Sequence, residues 1–248
     1  MKNFTKVLIG IGSVLVLWQI VAMLGIFNPI FFASPIEVAQ EATIMLQQQD
    51  IYNDIFSTFY RVILSVIIAV IIGVPLGIAL GYFSRMYQFV GEIIDFLRSI
   101  PPIVIYPLLL ISLGPGDASR IGTAVFGSIA VLILIISQGL FQQDKTRQVF
   151  YKSRGVSTIR LLKEVVWYEA LPHTMTALRT ATSISLVVIV VTEMLVGGRH
   201  GLGARVQQVQ ITSNIPDLFA TIILIGLIGI LLNKLLILIE KKYVFWKT

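Results

Sequence analysis

The stretch VILSVIIAVIIGVPLGIALGYF, residues 62–83, carries no charged side chain from end to end. A helix needs about 20 mostly apolar residues to cross the hydrocarbon core of a bilayer, so this run reads as a membrane span. Working outward, one similar run precedes it at 7–27, and four follow at 89–113, 121–140, 176–196 and 218–239. Composition agrees. The 248 residues are 56% hydrophobic and 13% charged, with a mean hydropathy of +0.88, whereas soluble domains run near about 45–50% apolar and 25% charged. No single water-soluble core hides that much apolar surface, so lipid is the expected solvent. The expected fold is an all-α integral membrane protein, one domain over 1–248 with six transmembrane helices.

Two spans need comment. The third, 89–113, contains Pro101, Pro102 and Pro107 and is the least regular. The first follows Lys2 and Lys6, as a signal peptide would. Its apolar run is too long for that, and no small-residue cleavage site appears before Pro29, so it reads as a retained helix.

Lysine and arginine set orientation. Residues 28–60 hold none of either, but do hold Glu37, Glu41, Asp50 and Asp54. The amino-terminal Lys2 and Lys6, Arg85 between the second and third spans, and Lys241, Lys242 and Lys247 in the tail belong on the opposite side. So does the connection carrying Lys145, Arg147, Lys152, Arg154, Arg160 and Lys163. Both termini are therefore expected in the cytoplasm, with Arg120, Arg199 and Arg205 as the outer exceptions. On the outer side, Ser34 as N-cap, Pro35 at the first helical position and Glu37 three residues on predict a short amphipathic helix after span one. A plain solvated connector fits that segment equally well.

The connection between spans four and five, 143–172, is the most charged part of the chain. Gly155 marks a turn between two short helices, because glycine takes conformations other residues avoid. After it, Ile159, Leu162 and Val166 recur at helical spacing, with Leu161 and Val165 widening that face. Arg160 and Glu164 face away with Lys163 beside them, and Pro172 closes the segment. Such an elbow can be gripped by a protein partner, can lie on anionic headgroups, or can be an ordinary connector. Its residues alone leave all three open.

Here the chain resembles the permease subunits of bacterial ABC importers, in the branch that includes sulfonate, taurine and nitrate permeases. Gly155 matches the glycine of that family's cytoplasmic loop, and ALPHTMTALR (170–179) matches its entry into the next span. LRSIPP (97–102), GVPLGIALG (73–81), GLG (201–203) and LLNKLL (231–236) also look like that branch, in order along the chain. Two departures stand out. Val149, Phe150 and Tyr151 replace the family's Glu-Ala-Ala, and Trp167 and Tyr168 replace a Leu-Pro. The resemblance implies a short cytoplasmic coupling helix that docks on a separate ATPase. The residues expected at that contact are Tyr151, Lys152, Arg154, Gly155, Ser157, Arg160, Leu161, Lys163, Glu164 and Trp167, with Tyr151 and Trp167 as aromatic anchors.

Irregular backbone at membrane depth is tolerated only where protein or a water-filled cavity surrounds it. That makes the prolines of the third span candidates for lining a path, together with Arg98 and Ser99. Arg98 has two alternatives: pairing with Asp95 or Glu92, or snorkelling to the interface. Ser183, Thr192 and Glu193 on the fifth span are further path candidates. The hydroxyls from Thr180 to Ser185 face a path or bond their own helix. Glu193, among apolar neighbours, must find a partner: a buried structural pair, or a hydrogen bond to a loop such as the one holding Gly201 to Gly203. Arg179 reads as an interfacial anchor and His200 as solvated. Gly73, Gly77 and Gly81 form a small-residue face for close helix packing, beside Pro75, which allows a kink.

Several classes are excluded. The chain has no phosphate-binding loop of the G-x-x-x-x-G-K-[ST] kind, so it is not expected to hydrolyse ATP itself; the resemblance implies that ATP and its magnesium belong to partner subunits. It has no cysteine and two histidines, His173 and His200, expected on opposite sides of the membrane. No nucleophile elbow or zincin pair occurs, so no enzyme activity or resident cofactor is expected. The expected setting is the inner membrane of a bacterium. The expected partners are a second copy of the chain, two cytoplasmic ATPase subunits and an extracytoplasmic binding protein, with no nucleic acid. The solute implied is a small anion (sulfonate, taurine, nitrate or bicarbonate) or, alternatively, a heterocyclic vitamin precursor. A self-contained secondary transporter or channel is the competing class, and the internal repeats typical of it are not evident.

Overall fold

A computed structural model describes residues 2–28 and 31–245; Lys247 of the basic tail lies outside them. Every regular element among the described residues is helical. In chain order these are α1 (Lys2–Met23), α2 (Pro35–Met45), α3 (Gln49–Tyr82) and α4 (Ser84–Ser99), then a 3-10 turn (Pro102–Ile105). There follow α5 (Tyr106–Leu113), α6 (Asp117–Phe141), α7 (Thr146–Ser153) and α8 (Thr158–Leu161), with a π-helical turn (Leu162–Val166). The chain ends with α9 (Trp167–Val196), α10 (Leu202–Ile211) and α11 (Ile215–Tyr243).

Four helices are long and apolar enough to cross a membrane, and a fifth is obtained if α4 and the Pro102–Leu113 segment, bent by 85°, count as one span. The apolar part of α1, Ile9–Met23, is shorter. The second expected span is part of a longer element: α3 starts at Gln49, well before residue 62, and runs through Pro75 without a break.

The centre of the bundle is α3, α6 and α9. Two apolar clusters fill it, one around Ile51, Val62, Ile189 and Leu202, the other around Leu132, Ile136, Leu161 and Val166. The glycine face of α3 sets the spacing to α6. A Cβ placed on Gly73, Gly77 or Gly81 would lie 2.9 Å from the Cβ of Leu132, Ile136 or Leu140 respectively. Only glycine lets the two backbones come so near.

α2 begins as its sequence predicts. The Glu37 N–H donates to the Ser34 hydroxyl, and the Glu37 carboxylate accepts from the Ser34 N–H and O–H. Those two donors, the backbone N–H foremost, hold the Glu37 carboxyl below its ordinary value. The helix does not stand alone: Val38 and Met45 are buried, and the Thr221 hydroxyl of α11 meets the Met45 sulfur at 3.8 Å. Trp18 of α1 donates to the Ala33 carbonyl and stacks on Phe219, which ties α1 and α11 to the same corner.

The largest departure from expectation is at Pro172. The proline does not close the elbow: α8, the π turn and α9 form one continuous helix, Thr158–Val196, of 39 residues. Proline removes one backbone donor and usually ends or kinks a helix. Here Pro172 is buried among helices that hold the chain on course, and the wider π turns stand just before it. The elbow therefore contains one separate helix, α7, and the second expected short helix is the root of the fifth span.

Candidate functional site

Three groups of residues carry chemistry, and they lie at different heights along α9. The first is at the break in the third span. α4 ends at Ser99, Ile100 is extended, and the chain turns through Pro101 into the 3-10 segment. Pro102 seats against α6 at a glycine, since a Cβ on Gly127 would come within 2.6 Å of the proline ring. Beside this seat is a cavity of about 390 Å³, walled by the end of α4, by Phe126, Ala130 and Val131 of α6, and by Ser183, Ile184, Val187 and Val188 of α9. Arg98, Pro102 and Ser183, far apart in sequence, meet there.

Arg98 is at the cavity wall with its Nε donating to Asp95 at 2.9 Å, which is one of the pairings expected from sequence. The Ser183 hydroxyl donates to the Arg179 carbonyl at 3.2 Å. Thr180 and Thr182 likewise bond their own helix, and Ser185 pairs with Ser128 across to α6. Ser99, Pro101 and Pro107 are exposed and do not line the cavity. The Tyr106 ring is fully buried just past the break, with a hydroxyl that has no partner among the described residues.

The second group is the elbow. The chain turns at Gly155, whose φ of +72° is a left-handed value that favours glycine. Val149, Phe150, Ile159, Trp167 and Tyr168 are all exposed here, amid Lys145, Arg147, Lys152, Arg154, Arg160 and Lys163. Cationic stems pack on rings: Lys152 sits over Tyr82 of α3 and Arg154 over Phe150. Arg160 binds Glu164 at 2.7 Å, as their spacing predicts. Ile159 departs from the expected inward face, being exposed. Leu161 departs the other way: it is fully buried in the core and cannot touch a docking partner. Between α7 and the root of α9 is a polar cleft of about 710 Å³ that includes Asp144, Arg147, Tyr151 and Glu169. The Thr146 hydroxyl, and then its N–H, hold the Asp144 carboxyl below its ordinary value.

The third group is at the other end of α9. Glu193 is fully buried and does not line the cavity. It accepts from Arg61 Nη1 at 2.6 Å, from the Thr58 hydroxyl at 2.9 Å and from the Gly203 N–H at 2.9 Å. The expected loop partner is thus present. Arg61, which the sequence reading passed over, is the main one. Its Nε also donates to Asp117 at 2.7 Å and its Nη1 to the His200 carbonyl at 3.0 Å. Asp54 accepts from the Gly201 N–H and Thr58 from the Leu202 N–H. Arg120 donates to the Gly197 carbonyl.

Asp54, Thr58 and Arg61 are four and three residues apart on α3, so one helix face grips His200 to Leu202, while Arg120 of α6 and Glu193 of α9 hold the two ends of the turn. His200 is not simply solvated. It is half-buried, with Nδ1 3.7 Å from Asp54. Thr192 is buried beside the cluster and bonds its own helix. Arg179, toward the other end, anchors to Glu240 of α11 at 3.3 Å.

The molecule is thus a helical bundle with a broken, cavity-lining segment and an exposed cationic elbow. Residues 71–243 match the family described as the inner membrane component of binding-protein-dependent transport systems, and the chain belongs to it. It is 23% identical, over 99% of its length and 95% of the relative's, to a probable ABC transporter permease protein of Brucella abortus. The nitrate import permease protein of Synechocystis is 26% identical over 64% of this chain and 58% of its own. The fold is similar to a chain of the MetNI methionine ABC transporter solved in inward-facing conformations. That match has a TM-score of 0.67 at 18% identity and covers 77% of this chain and 94% of that one. The chain is thus a permease component of the ABC importer class, and such a subunit is not itself the ATPase.

Proposed function

We propose that this chain is one half of the membrane pathway of an ATP-driven importer for a small anion. The observation that carries the reading is the physical connection between elbow and cavity. A single unbroken helix, Thr158–Val196, has exposed Ile159, Arg160 and Lys163 at one end and cavity-lining Ser183 and Ile184 farther along. Apolar and aromatic anchors inside a polar rim are the usual anatomy of a protein interface, and the rim here is mostly cationic. Two ATPase subunits with acidic-rimmed grooves would grip the elbows of two copies of this chain. A binding protein would deliver the solute at the Gly201 end.

In this reading six spans place both termini and the elbow in the cytoplasm of a bacterial cell, and the whole chain is one domain of the inner membrane. Three of the outer-side arginines, Arg61, Arg120 and Arg205, support that orientation. Each is withdrawn into the fold beside Glu193, Asp117 or Asp217, so the free cationic charge is concentrated at the elbow end. ATP and magnesium are bound by the partners. ATP binding draws the elbows together and opens the path outward, and hydrolysis resets it.

The test is charge reversal at the grip. Arg160→Glu with Lys163→Glu should leave the protein folded and membrane-inserted while ATP hydrolysis loses its dependence on the binding protein and uptake falls at least tenfold. Normal ATP-driven uptake by that double variant would remove the docking role.

A further inference from the structure

We infer that a groove between α3 and the root of α9, at the cationic end of the bundle, is a binding site for an anionic phospholipid of the surrounding membrane. The inference goes beyond the importer reading and shares with it only the placement of these helices in lipid. The groove has a volume of about 440 Å³, and its α3 wall is Pro75, Ile78, Ala79 and Phe83. Phe83 closes the apolar run 62–83 and Arg85 follows it, so the mouth of the groove is at headgroup level. Pro75 is about 12 Å deeper at 1.5 Å per residue. Between them Ile78 presents hydrocarbon, and the short side chain of Ala79 leaves the hollow. That is a seat for the upper part of an acyl chain.

The facing wall comes from the π turn Leu162–Val166, which supplies Leu162 and Lys163, and from Trp167 directly after it. Such turns are rare and collect at functional sites. Trp167 is exposed, and an indole with one apolar face and one polar edge belongs at the headgroup boundary. Charge decides which lipid. Lys163 is the one charged residue of the lining, and no carboxylate shares it. Glu164 beside it is taken by Arg160, and among the described residues Lys163 makes no ion pair. A second cation overlooks the same rim: Lys152 stands over Tyr82, whose ring meets Phe83 edge-on at 4.8 Å. A zwitterionic headgroup would bring its own ammonium against these two lysines, whereas a headgroup of purely negative charge pairs with them. Basic pockets at the ends of membrane helices favour anionic headgroups for this reason. Ile159 and Arg160 do not line the groove, so the lipid leaves them to the ATPase.

The test is photo-crosslinking in the assembled complex. This chain with its ATPase subunits is placed in phosphatidylcholine nanodiscs. These carry, at equal mole fraction, either phosphatidylglycerol or phosphatidylcholine with a diazirine in one acyl chain. Labelled residues are read by fragment mass spectrometry. The outward face of α11 around Ile222 and Leu227 reports lipid that merely surrounds the protein. The expected result is a phosphatidylglycerol excess of about five-fold or more at residues 78–83 and 162–167, against less than about two-fold on α11, since a lysine near the surface favours an anionic lipid by about 1 kcal/mol. Lys152→Gln with Lys163→Gln should bring the two lipids within about two-fold in the groove. Ala79→Phe, which fills the hollow, should remove groove labelling by both lipids while α11 labelling persists. Equal labelling of the groove by the two lipids overturns the proposal, and so does an excess on α11 as large as that in the groove. A groove that stays unlabelled while α11 is labelled overturns it too, because a second copy or an ATPase subunit then covers the site. An excess that survives the double lysine variant, or groove labelling that survives Ala79→Phe, has the same consequence. Loss of labelling at both places removes the membrane placement itself, and the importer reading with it.

Discussion

Arg61 and Glu193 form an interior ion pair at 2.6 Å that bridges α3 and α9, and truncating Arg61 leaves the buried Glu193 charge with only the neutral Thr58 and Gly203 donors. Such a loss costs about 3–5 kcal/mol. Arg61→Ala should lower the thermal midpoint of the detergent-purified protein by about 10 °C, given about 2–4 °C per kcal/mol in a chain of this size. Glu193→Gln keeps the Thr58 and Gly203 hydrogen bonds in reach and should cost less. Half of this pair was legible. A carboxylate among apolar residues demands partners, and the glycine loop after it was an evident source of N–H groups. Arg61 was missed because the count of cations in the outer connection ended one position short of it. The signal was there in the spacing of Asp54, Thr58 and Arg61, which places three polar groups on one face of an otherwise apolar helix. At the smaller outer helix, Ser34→Ala should remove about 1 kcal/mol of local stability, seen as faster amide exchange over Glu37 to Gln40. Because the cap lowers the Glu37 pKa in the folded chain, its contribution is complete above the ordinary carboxylate range. It is lost as pH falls through the depressed value, so the gap between Ser34→Ala and the parent protein should narrow in acid without closing, because the Glu37 N–H to Ser34 hydroxyl bond does not titrate.

Helices meet here through choices the sequence states openly in one case and conceals in another. The glycines of α3 at spacings of four announced a close contact, and α6 supplies it with Leu132, Ile136 and Leu140. Gly77→Val should be overpacked against Ile136 by about 1–3 kcal/mol. Gly226→Ala, with nothing within 4 Å of the new methyl group, should melt within about 2 °C of the parent. A thermal shift as large for the second as for the first would dissolve the argument from close approach. Pro172 is the concealed case. Proline reads as a stop because a lone helix cannot absorb the lost donor and the ring together. Whether a packed helix can do so depends on neighbours that no local pattern reveals. α4 and α5 were also hidden, since neither one alone is long enough to span and the 85° between them follows from two adjacent prolines whose geometry a linear pattern cannot set.

For the assembled protein, the last helix is informative. In α11 only 6% of the most apolar window is buried, and Ile222, Leu227, Ile230, Leu231 and Leu238 face outward. Lipid satisfies such a surface, and so does a second copy. A native-mass measurement on the complex in nanodiscs should find two copies of this chain with two ATPase subunits, and a stable active complex with one copy would break the paired pathway. The all-helical membrane class was plain from composition, and the order of motifs placed the chain in its family. The division of labour along α9 was not, because it depends on which side chains from α3, α4 and α6 arrive at each height.

The helix Thr158–Val196 is also a lever. From Arg160 to Ile184 it spans about 36 Å at 1.5 Å per residue. Pivoted near its gripped end, a rod of that length tilted by only about 5° carries the far point through about 3 Å, close to an atomic diameter. With Pro172 inside one unbroken helix, a slight nod imposed at the elbow by the proposed ATPase would reach the cavity beside Ile184. The same stiffness would work in reverse, so in the proposed importer a solute beside Ile184 would be felt at the elbow.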